Sequence, residues 1–221
     1  MPYRPKSPTF SVPPNPKIYH IVHVDRLESI LECEGLYSDA EVRDRALPGS
    51  AIGMDHIKER RLKFNKLDSH FDLTVGQCVP FNFCPRSVML YKIYRKPGDL
   101  AYHGGQESIV HLEADLYGVV DALDRRGLRW AFTLVNAACA FFEDRCSLAS
   151  LEEINWPAVH ELNWAGVKDS KQAEFLVERF FPWSLVDRVG VLNPEIHRRA
   201  RNILRQCEHQ PTVEVIPGWY Y

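Results

Sequence analysis

A glutamate at the start of an apolar run is the feature of this sequence that most constrains its fold. Glu174 directly precedes the apolar residues 175–177, inside a segment at 170–183 that reads Ser-Lys-Gln-Ala-Glu-Phe-Leu-Val-Glu-Arg-Phe-Phe-Pro-Trp. A carboxylate that enters a buried strand is unfavourable unless it is paired, hydrogen-bonded or used in chemistry. Two interpretations follow: a structural glutamate bonded to Lys171 or to an arginine elsewhere, or a catalytic carboxylate at the edge of a pocket.

The composition is that of an ordinary globular protein. The 221 residues are 45% hydrophobic and 25% charged, which suits one sizeable domain with a buried core. The formal net charge of −2 does not by itself indicate nucleic-acid binding. A local basic patch on the surface is still compatible with this net charge. Since the sequence has no apolar run long enough to span a bilayer, no membrane partner is expected.

Residues 1–17 are predicted to form a proline-rich arm ahead of a domain that spans 18–221. Six prolines mark this arm: Pro2, Pro5, Pro8, Pro13, Pro14 and Pro16. Because no apolar stretch follows its basic residues, the arm does not have the pattern of a secretion signal. We therefore expect a cytoplasmic protein.

The six cysteines predict neither a zinc site nor a disulfide framework. No two cysteines have C-x-x-C spacing, and no group of cysteines and histidines has zinc-finger spacing. Most of them lie beside apolar residues, which is typical of buried free thiols. No metal is expected.

The first periodic segment predicts a strand that leads directly into a helix. Residues 18–24, Ile-Tyr-His-Ile-Val-His-Val, favour a strand with His20 and His23 on opposite faces. Asp25 is then a plausible helix cap, and Glu28 completes a capping-box pattern. The two histidines would lie near this junction.

The rest of the chain predicts an α+β domain of short, mostly antiparallel strands interleaved with helices. Helices are predicted at 52–64, 118–128, 136–145, 148–155, 156–164 and from Pro194 onward. Strands are predicted at 87–94, 109–116 (half-buried), 130–135, around Glu174 and at 212–216. The sequence contains neither G-x-G-x-x-G nor G-x-x-x-x-G-K-[ST], so neither a Rossmann nor a P-loop nucleotide site is supported.

Six motifs in order resemble the DarT family of DNA ADP-ribosyltransferase toxins. They are Tyr-His-Ile-Val-His-Val-Asp at 19–25, Ile-Lys-Glu-Arg-Arg at 57–61, Val-Pro-Phe-Asn-Phe-Cys-Pro-Arg-Ser-Val-Met-Leu-Tyr at 79–91, Gly-Gly-Gln at 104–106, Lys-Gln-Ala-Glu-Phe-Leu-Val at 171–177 with Phe-Pro-Trp at 181–183, and Trp-Tyr-Tyr at 219–221. The resemblance runs from about residue 18 to residue 221. Each motif is weak alone, but six in order are highly specific.

The resemblance implies a single compact ADP-ribosyltransferase-like domain with two small, mostly antiparallel sheets flanked by helices. NAD, as co-substrate, would lie in a cleft between the sheets, with no metal. The implied activity is transfer of ADP-ribose from NAD to a base of single-stranded DNA, with release of nicotinamide. The family implies a macrodomain antitoxin of the DarG type as partner, and we expect a monomer.

The resemblance also assigns the NAD side of the site. Breaking the nicotinamide–ribose bond develops oxocarbenium character, which a fixed carboxylate stabilises, and Glu174 matches the catalytic glutamate. His20 matches the histidine that orients NAD. Ile21 and Val22 would line the nicotinamide side. Weaker matches to the NAD site are Ser29 and Tyr37.

Arg61 matches an arginine that the family uses at the NAD phosphates and in proton transfer. A guanidinium is a natural partner for a pyrophosphate and a poor base, which favours the phosphate role. Lys58 shares its helix face, although a solvated basic face explains that spacing too. On the DNA side the resemblance implies Arg86, Met89 and Asn136, and the target base must be unstacked to reach the ribose. Arg86 as an ion-pair residue and Asn136 as a helix cap are equally open interpretations.

Three departures from the family pattern fall on the substrate side. Val22 replaces a threonine or similar residue, Val88 replaces a proline, and residues 133–137 read Thr-Leu-Val-Asn-Ala where many members have Thr-Asp-Gly-Asn-Ala. One branch of the family modifies thymine and another guanine. The altered substrate loop favours guanine.

Other functions remain open from the sequence. A transferase of the same fold that labels RNA or protein is compatible with the net charge. A non-catalytic nucleic-acid-binding module would bind without consuming NAD, and it leaves Glu174 unexplained. A metal-dependent nuclease is the least favoured, since the sequence offers no carboxylate cluster for Mg²⁺.

Overall fold

A computed structural model describes residues 8–46, 55–96, 98, 100, 102–139 and 141–221. The strands of the described residues are β1 (Lys17–His23), β2 (Gly35–Tyr37), β3 (Cys78–Asn82), β4 (Ile109–Asp115), β5 (Trp130–Thr133), β6 (Asp144–Arg145), β7 (Glu174–Glu178), β8 (Phe180–Pro182), β9 (Arg188–Val191) and β10 (Thr212–Val215). The α-helices are α1 (Arg26–Glu32), α2 (Asp39–Arg45), α3 (Asp55–Lys63), α4 (Val88–Arg95), α5 (Leu116–Arg125), α6 (Trp156–His160), α7 (Lys168–Lys171) and α8 (Pro194–Leu204). Short 3₁₀ segments lie at Val75–Gln77, Leu148–Glu153, Trp183–Leu185 and Pro217–Trp219.

The strands form one large sheet and one small sheet. The large sheet has the order β10-β9-β4-β1-β3-β7-β5-β6, and the small sheet pairs β2 with β8. Among these pairs only β9 and β10 run parallel. The predicted α+β class with mostly antiparallel pairing is therefore confirmed, with two sheets of unequal size.

The centre of the large sheet brings distant segments of the chain together. β1 pairs along its whole length with β4, and its other edge meets β3 at Tyr19 and Asn82. β3 then pairs with β7, which sets Asn82 opposite Glu174. Three strands that are neighbours in the sheet, β1, β3 and β7, thus place His20, Asn82 and Glu174 in one region of it. The first four residues of β7 are buried, as expected of a central strand.

Two of the predicted elements are wrong. Residues 88–95 form helix α4 and not a strand, because the Ser87 hydroxyl accepts a hydrogen bond from the backbone N–H of Leu90 and caps the helix. The segment 136–145 is not a helix. Its first residues form a turn. Its last two residues form β6, because they pair with β5.

Strand β4 and helix α1 also differ from expectation. β4 is buried on both faces rather than half-buried, because the main core covers one face and the rings of Trp219 and Tyr220 pack against the other. Its polar residues are accommodated by partners, as when Glu113 pairs with Arg188 at 2.7 Å. At α1, Asp25 makes no side-chain cap bond and instead contacts His23 Nδ1 at 2.8 Å, so the capping box does not form.

The amino-terminal segment packs on the domain where it is described. Phe10 and Val12 pack against the main core, and the Phe10 backbone N–H donates to the Glu152 carbonyl oxygen at 2.7 Å. Residues 1–7 of the predicted arm and residues 52–54 of the predicted helix lie outside the described residues. The boundary between arm and domain at residue 18 stays a prediction.

The cysteines lie within the described residues, and all six are free thiols. Only Cys78 and Cys84 are fully buried, and Cys146 is exposed, so the prediction that most are buried is wrong. Apolar neighbours in sequence do not decide burial at the ends of elements, where the chain turns to the surface. None of the helices in the described part of the chain is long and apolar enough to cross a bilayer.

The buried histidine of β4 makes the stability of the fold dependent on pH. His111 lies against the rings of Trp219 and Tyr220, and its Nε2 donates to the Pro85 carbonyl oxygen at 3.0 Å. Burial lowers the pKa of His111 to about 4, although the Pro85 bond opposes the shift. The unfolded chain, with a histidine pKa near 6.5, therefore binds a proton below pH 6.5 that the folded chain does not bind.

We expect this histidine to lower the free energy of unfolding by about 2 kcal/mol between pH 7.5 and pH 5. Its contribution is complete above pH 6.5 and is lost as the pH falls toward 4. Denaturant unfolding of the wild type and of His111→Phe at both pH values measures it. The variant should lose this share of the pH slope, and an equal slope in both proteins would contradict the assignment.

Candidate active site

A cleft of about 350 Å³ lies at the junction of β1, β3 and β7 with helices α2, α3 and α4. Eight residues that the sequence assigned to the site line it: His20, Ile21, Val22, Tyr37, Arg61, Met89, Asn136 and Glu174. The fold therefore brings together residues that lie more than 150 positions apart in the sequence. Ser29 and Arg86 are not among the residues that line it.

The floor of the cleft holds an ion pair between Glu174 and Arg61. Arg61 Nη1 donates to Glu174 Oε1 at 3.1 Å and Nη2 donates to Oε2 at 2.7 Å, so the contact is bidentate. The two side chains are only 11% and 13% exposed, which keeps water from screening the pair. Burial opposes the charge of Arg61, but the attraction and hydrogen bonds of Glu174 outweigh it and raise the pKa of Arg61.

This pairing identifies the partner of Glu174, whereas a catalytic role for Glu174 stays a prediction. Glu174 binds an arginine from a distant helix and not Lys171, whose Nζ donates to the Val159 carbonyl oxygen at 2.8 Å. Glu174 therefore has an ion-pair partner and also lines a cleft. Lys58, which shares the α3 face with Arg61, also lines the cleft and pairs with Asp39 at 3.1 Å.

Thr133 fixes the backbone at Glu174. Its buried hydroxyl oxygen accepts a hydrogen bond from the Glu174 backbone N–H at 3.0 Å, and the hydroxyl donates to the Val135 carbonyl oxygen at 2.7 Å. One side chain therefore connects the end of β5, the start of β7 and the loop that follows Thr133. Sequence reasoning noted this threonine only as part of the substrate loop.

We expect Thr133→Val to destabilise the fold by about 1–3 kcal/mol and to lower the rate of the reaction catalysed at this site. Valine keeps the shape of threonine but leaves the buried Glu174 N–H without an acceptor. Thr133→Ser, which keeps the hydroxyl, is the matched control. Thermal unfolding and turnover of both variants check the prediction, and wild-type turnover in Thr133→Val would refute a positioning effect on Glu174.

His20 is held in one tautomer. Its Nδ1 lies 2.6 Å from the Pro80 carbonyl oxygen, which only accepts, so Nδ1 carries the proton. Burial lowers the pKa of His20 despite the opposing Pro80 bond, so the ring is neutral at pH 7. The Nε2 atom is then an acceptor for a hydroxyl group. A neutral histidine with a fixed orientation suits the positioning of a ribose.

The loop after β5 forms the wall of the cleft near Asn136. The Asn136 side-chain oxygen accepts from the Ala138 backbone N–H at 2.9 Å, and the Asn136 N–H donates to the Asp169 carbonyl oxygen at 3.0 Å. Asn65, which follows α3, donates from Nδ2 to the carbonyl oxygens of Ala137 at 2.8 Å and Cys139 at 3.0 Å. This asparagine ties the loop to the helix that carries Arg61, and sequence reasoning missed it.

The remaining assigned residues have local partners. The Ser29 hydroxyl donates to the Arg26 carbonyl oxygen at 3.0 Å on α1. The Tyr37 ring packs against Phe180, with centroids 4.9 Å apart, and carries the Arg45 guanidinium at 4.3 Å on its face. The Arg86 guanidinium lies 4.5 Å over the Tyr221 ring. Direct NAD or DNA contact by each of the assigned residues stays a prediction, and Ser29 and Arg86 also lie outside the lining of the cleft.

Within the described ranges, no group of three or more His, Cys, Asp or Glu side chains is arranged to hold a metal ion. The cleft instead contains two ion pairs, Arg61–Glu174 and Lys58–Asp39. Arg26 and Lys92 add two further basic side chains to its lining. This donor set suits a phosphate-bearing ligand.

Comparisons with known proteins agree with this geometry. The model of the family described as ssDNA thymidine ADP-ribosyltransferase, DarT, matches residues 19–221. A DNA ADP-ribosyl transferase of Thermus aquaticus is 35% identical over 213 residues, which cover 92% of this chain and 88% of the relative.

Solved structures agree as well. Thermus sp. 2.9 DarT in complex with ADP-ribosylated ssDNA superposes with a TM-score of 0.86 at 32% identity, covering 96% of this chain and 100% of the other. The same protein in complex with NAD⁺ gives a TM-score of 0.82 at 31% identity, with the same coverage.

Proposed function

This chain belongs to the DarT family and is an NAD-dependent DNA ADP-ribosyltransferase, and from that premise we propose how its residues act and what it modifies. It transfers ADP-ribose from NAD to a base of single-stranded DNA and releases nicotinamide. The observation that carries the proposal is the bidentate Glu174–Arg61 pair on the floor of a cleft that also contains His20.

The residues divide the chemistry between them. The bond between ribose C1′ and the nicotinamide nitrogen breaks, and its electron pair leaves with nicotinamide. The Glu174 carboxylate stabilises the positive charge that develops on the ribose, while neutral His20 accepts a hydrogen bond and orients NAD, with Ile21 and Val22 beside it. Ser29 and Tyr37 complete the NAD side.

Arg61 acts as a clamp and not as a base. Its raised pKa keeps the guanidinium charged, so it orients Glu174 and attracts the NAD phosphates. A nitrogen of the acceptor base then attacks C1′, and the proton that this nitrogen loses passes to water. Arg86, Met89 and Asn136 contact the DNA, and Met89 and Asn136 line the cleft where the base must enter.

We propose that the acceptor base is thymine or guanine. The description of the matching family names thymidine, whereas the altered substrate loop at 133–137 favours guanine. Loop residue Asn136 lines the cleft, which supports contact between this loop and the base.

Mass spectrometry of mixed-sequence single-stranded oligonucleotides, incubated with the protein and NAD and without metal, tests the proposal. An ADP-ribose adduct is the expected result, and fragmentation names the base. Labelling of RNA or protein but not DNA would instead favour a different acceptor. Intact NAD with no adduct would favour a non-catalytic binding module.

Family membership also supports a biological role. We propose that the protein is a cytoplasmic, monomeric toxin and that a macrodomain antitoxin of the DarG type removes its mark. Expression of the chain alone should stop bacterial growth, and co-expression of such a macrodomain should restore it. If growth were restored while the DNA adduct was still present, the antitoxin would act by a route other than removal of the adduct.

A further inference from the structure

Two tyrosines of α4 and two aromatic residues packed against them form a cluster beside the cleft. It consists of Tyr91, Tyr94, Trp164 and Tyr221, which we call the aromatic platform. Tyr91 meets Trp164 and Tyr221 edge-on, with centroids 5.3 and 5.1 Å apart, and Tyr94 stacks on Tyr221 at 6.2 Å with 23° between the ring planes. Tyr94 is 46% exposed, so the aromatic platform reaches the surface.

One basic side chain contacts the aromatic platform, and two more follow Tyr94 directly in the chain. The Arg86 guanidinium covers one face of Tyr221 at 4.5 Å. Arg95 at the end of α4 and Lys96 directly after it are exposed, and the helix sequence Val-Met-Leu-Tyr-Lys-Ile-Tyr-Arg contains no acidic residue. Aromatic faces next to a line of cations are the combination that binds single-stranded nucleic acid, because bases stack on the rings and phosphates meet the cations.

Helix α4 connects the aromatic platform to the cleft. Met89 and Lys92 on the same helix line the cleft. Met89 and Tyr94 are five residues apart, about 7.5 Å along the helix axis and about 140° around it. The axial rise alone is roughly two nucleotide steps at the 3.4 Å spacing of a stacked strand, and the path around the helix adds to it. A strand with one base in the cleft therefore reaches Tyr94 with a base at least two nucleotides away and not with the adjacent base.

We propose that the aromatic platform stacks bases two or more nucleotides away from the acceptor base, while Arg95 and Lys96 bind the phosphates between them. The inference rests on the proposed function, since it supplies a path for the same DNA strand. A protein partner fits less well, because the cations next to the rings call for a polyanion.

The length of the oligonucleotide separates the aromatic platform from the cleft. With a 15-nucleotide substrate, Tyr94→Ala should raise the KM for DNA about fivefold or more, because one stacking contact is lost. With a trinucleotide centred on the acceptor base, the KM should not change, since its flanking bases do not reach Tyr94. Tyr94→Phe keeps the ring and should behave as the wild type at both lengths. The KM for NAD should not change in either variant.

The salt dependence tests the cations separately. Arg95→Gln should reduce the slope of log KM against log salt by about 0.7, the value for one phosphate contact on a single strand, whereas Tyr94→Ala should leave that slope unchanged. Tyr117→Ala, which removes another exposed tyrosine at the start of α5, is the matched control and should change nothing.

An equal effect of Tyr94→Ala at both lengths, or no effect at either, would overturn the inference. If the wild type modifies no DNA at all, the proposed function fails first. Binding of the 15-nucleotide strand, followed by fluorescence anisotropy, then still decides about the aromatic platform, and an unchanged Kd in Tyr94→Ala would reject it.

Discussion

Replacement of Glu174 by glutamine is expected to lower ADP-ribose transfer by about 10²- to 10³-fold while NAD still binds. The variant keeps the shape of the side chain and one acceptor oxygen but removes the negative charge that, in the proposed mechanism, stabilises the oxocarbenium-like transition state. Arg61 then has no anionic partner and is available to the NAD phosphates, so the Kd for NAD should stay the same or fall. Single-turnover transfer to an oligonucleotide and calorimetric NAD binding measure the two effects.

The same strand provides a matched control. Glu178 at the other end of β7 is held by Arg129, with Nη2 2.8 Å from Oε1, and it does not line the cleft. Glu178→Gln makes the same chemical change to an arginine-bonded glutamate, and we expect it to retain wild-type transfer. Full transfer by Glu174→Gln would exclude the carboxylate from catalysis, and equal losses in both variants would indicate a general effect of disturbing β7.

The sequence predicted the class of the fold better than its individual elements. Strand β1 and the helix after Asn193 were recognisable because their periodicity and caps agree. Residues 88–95 were misread because their short apolar pattern fits either a strand or a helix. The Ser87 cap and packing around the buried Leu90 decide for the helix. Burial of β4 on both faces depends on the distant residues that pack against each face, which no local pattern encodes.

The candidate site divides in a similar way. The resemblance placed Glu174, Arg61 and His20 at the site, and the fold puts all three in one cleft. Asn65 and Thr133 were not recognisable, because each acts on a backbone group 72 or 41 residues away in the sequence. Which asparagine or threonine meets such a group is set by tertiary structure alone. The contribution of each assigned residue to binding or catalysis stays a prediction.

Arg61→Met is expected to lower the free energy of unfolding by about 3 kcal/mol at pH 7.5 and to reduce transfer strongly. The substitution leaves the nearly buried Glu174 carboxylate without its partner, and an unpaired buried charge is strongly destabilising. Since protonation relieves an unpaired carboxylate, the loss should shrink as the pH is lowered. Denaturant unfolding across pH and the same transfer assay follow both effects.

A double substitution distinguishes a broken ion pair from a merely damaged helix. Adding Glu174→Gln to Arg61→Met removes the unpaired charge, so most of the lost stability should return while transfer stays low. Arg129→Met is the control, because it removes the arginine that binds Glu178 at the other end of β7. Because Arg129 is 35% exposed, that variant should lose about 1 kcal/mol or less and keep its activity. If the two changes at the cleft are instead additive in their loss of stability, the pair is not the energetic unit that its geometry indicates. If stability returns together with transfer, neither charge is needed for the chemistry. Recovered stability without recovered transfer is therefore the result that assigns the Glu174–Arg61 pair to function.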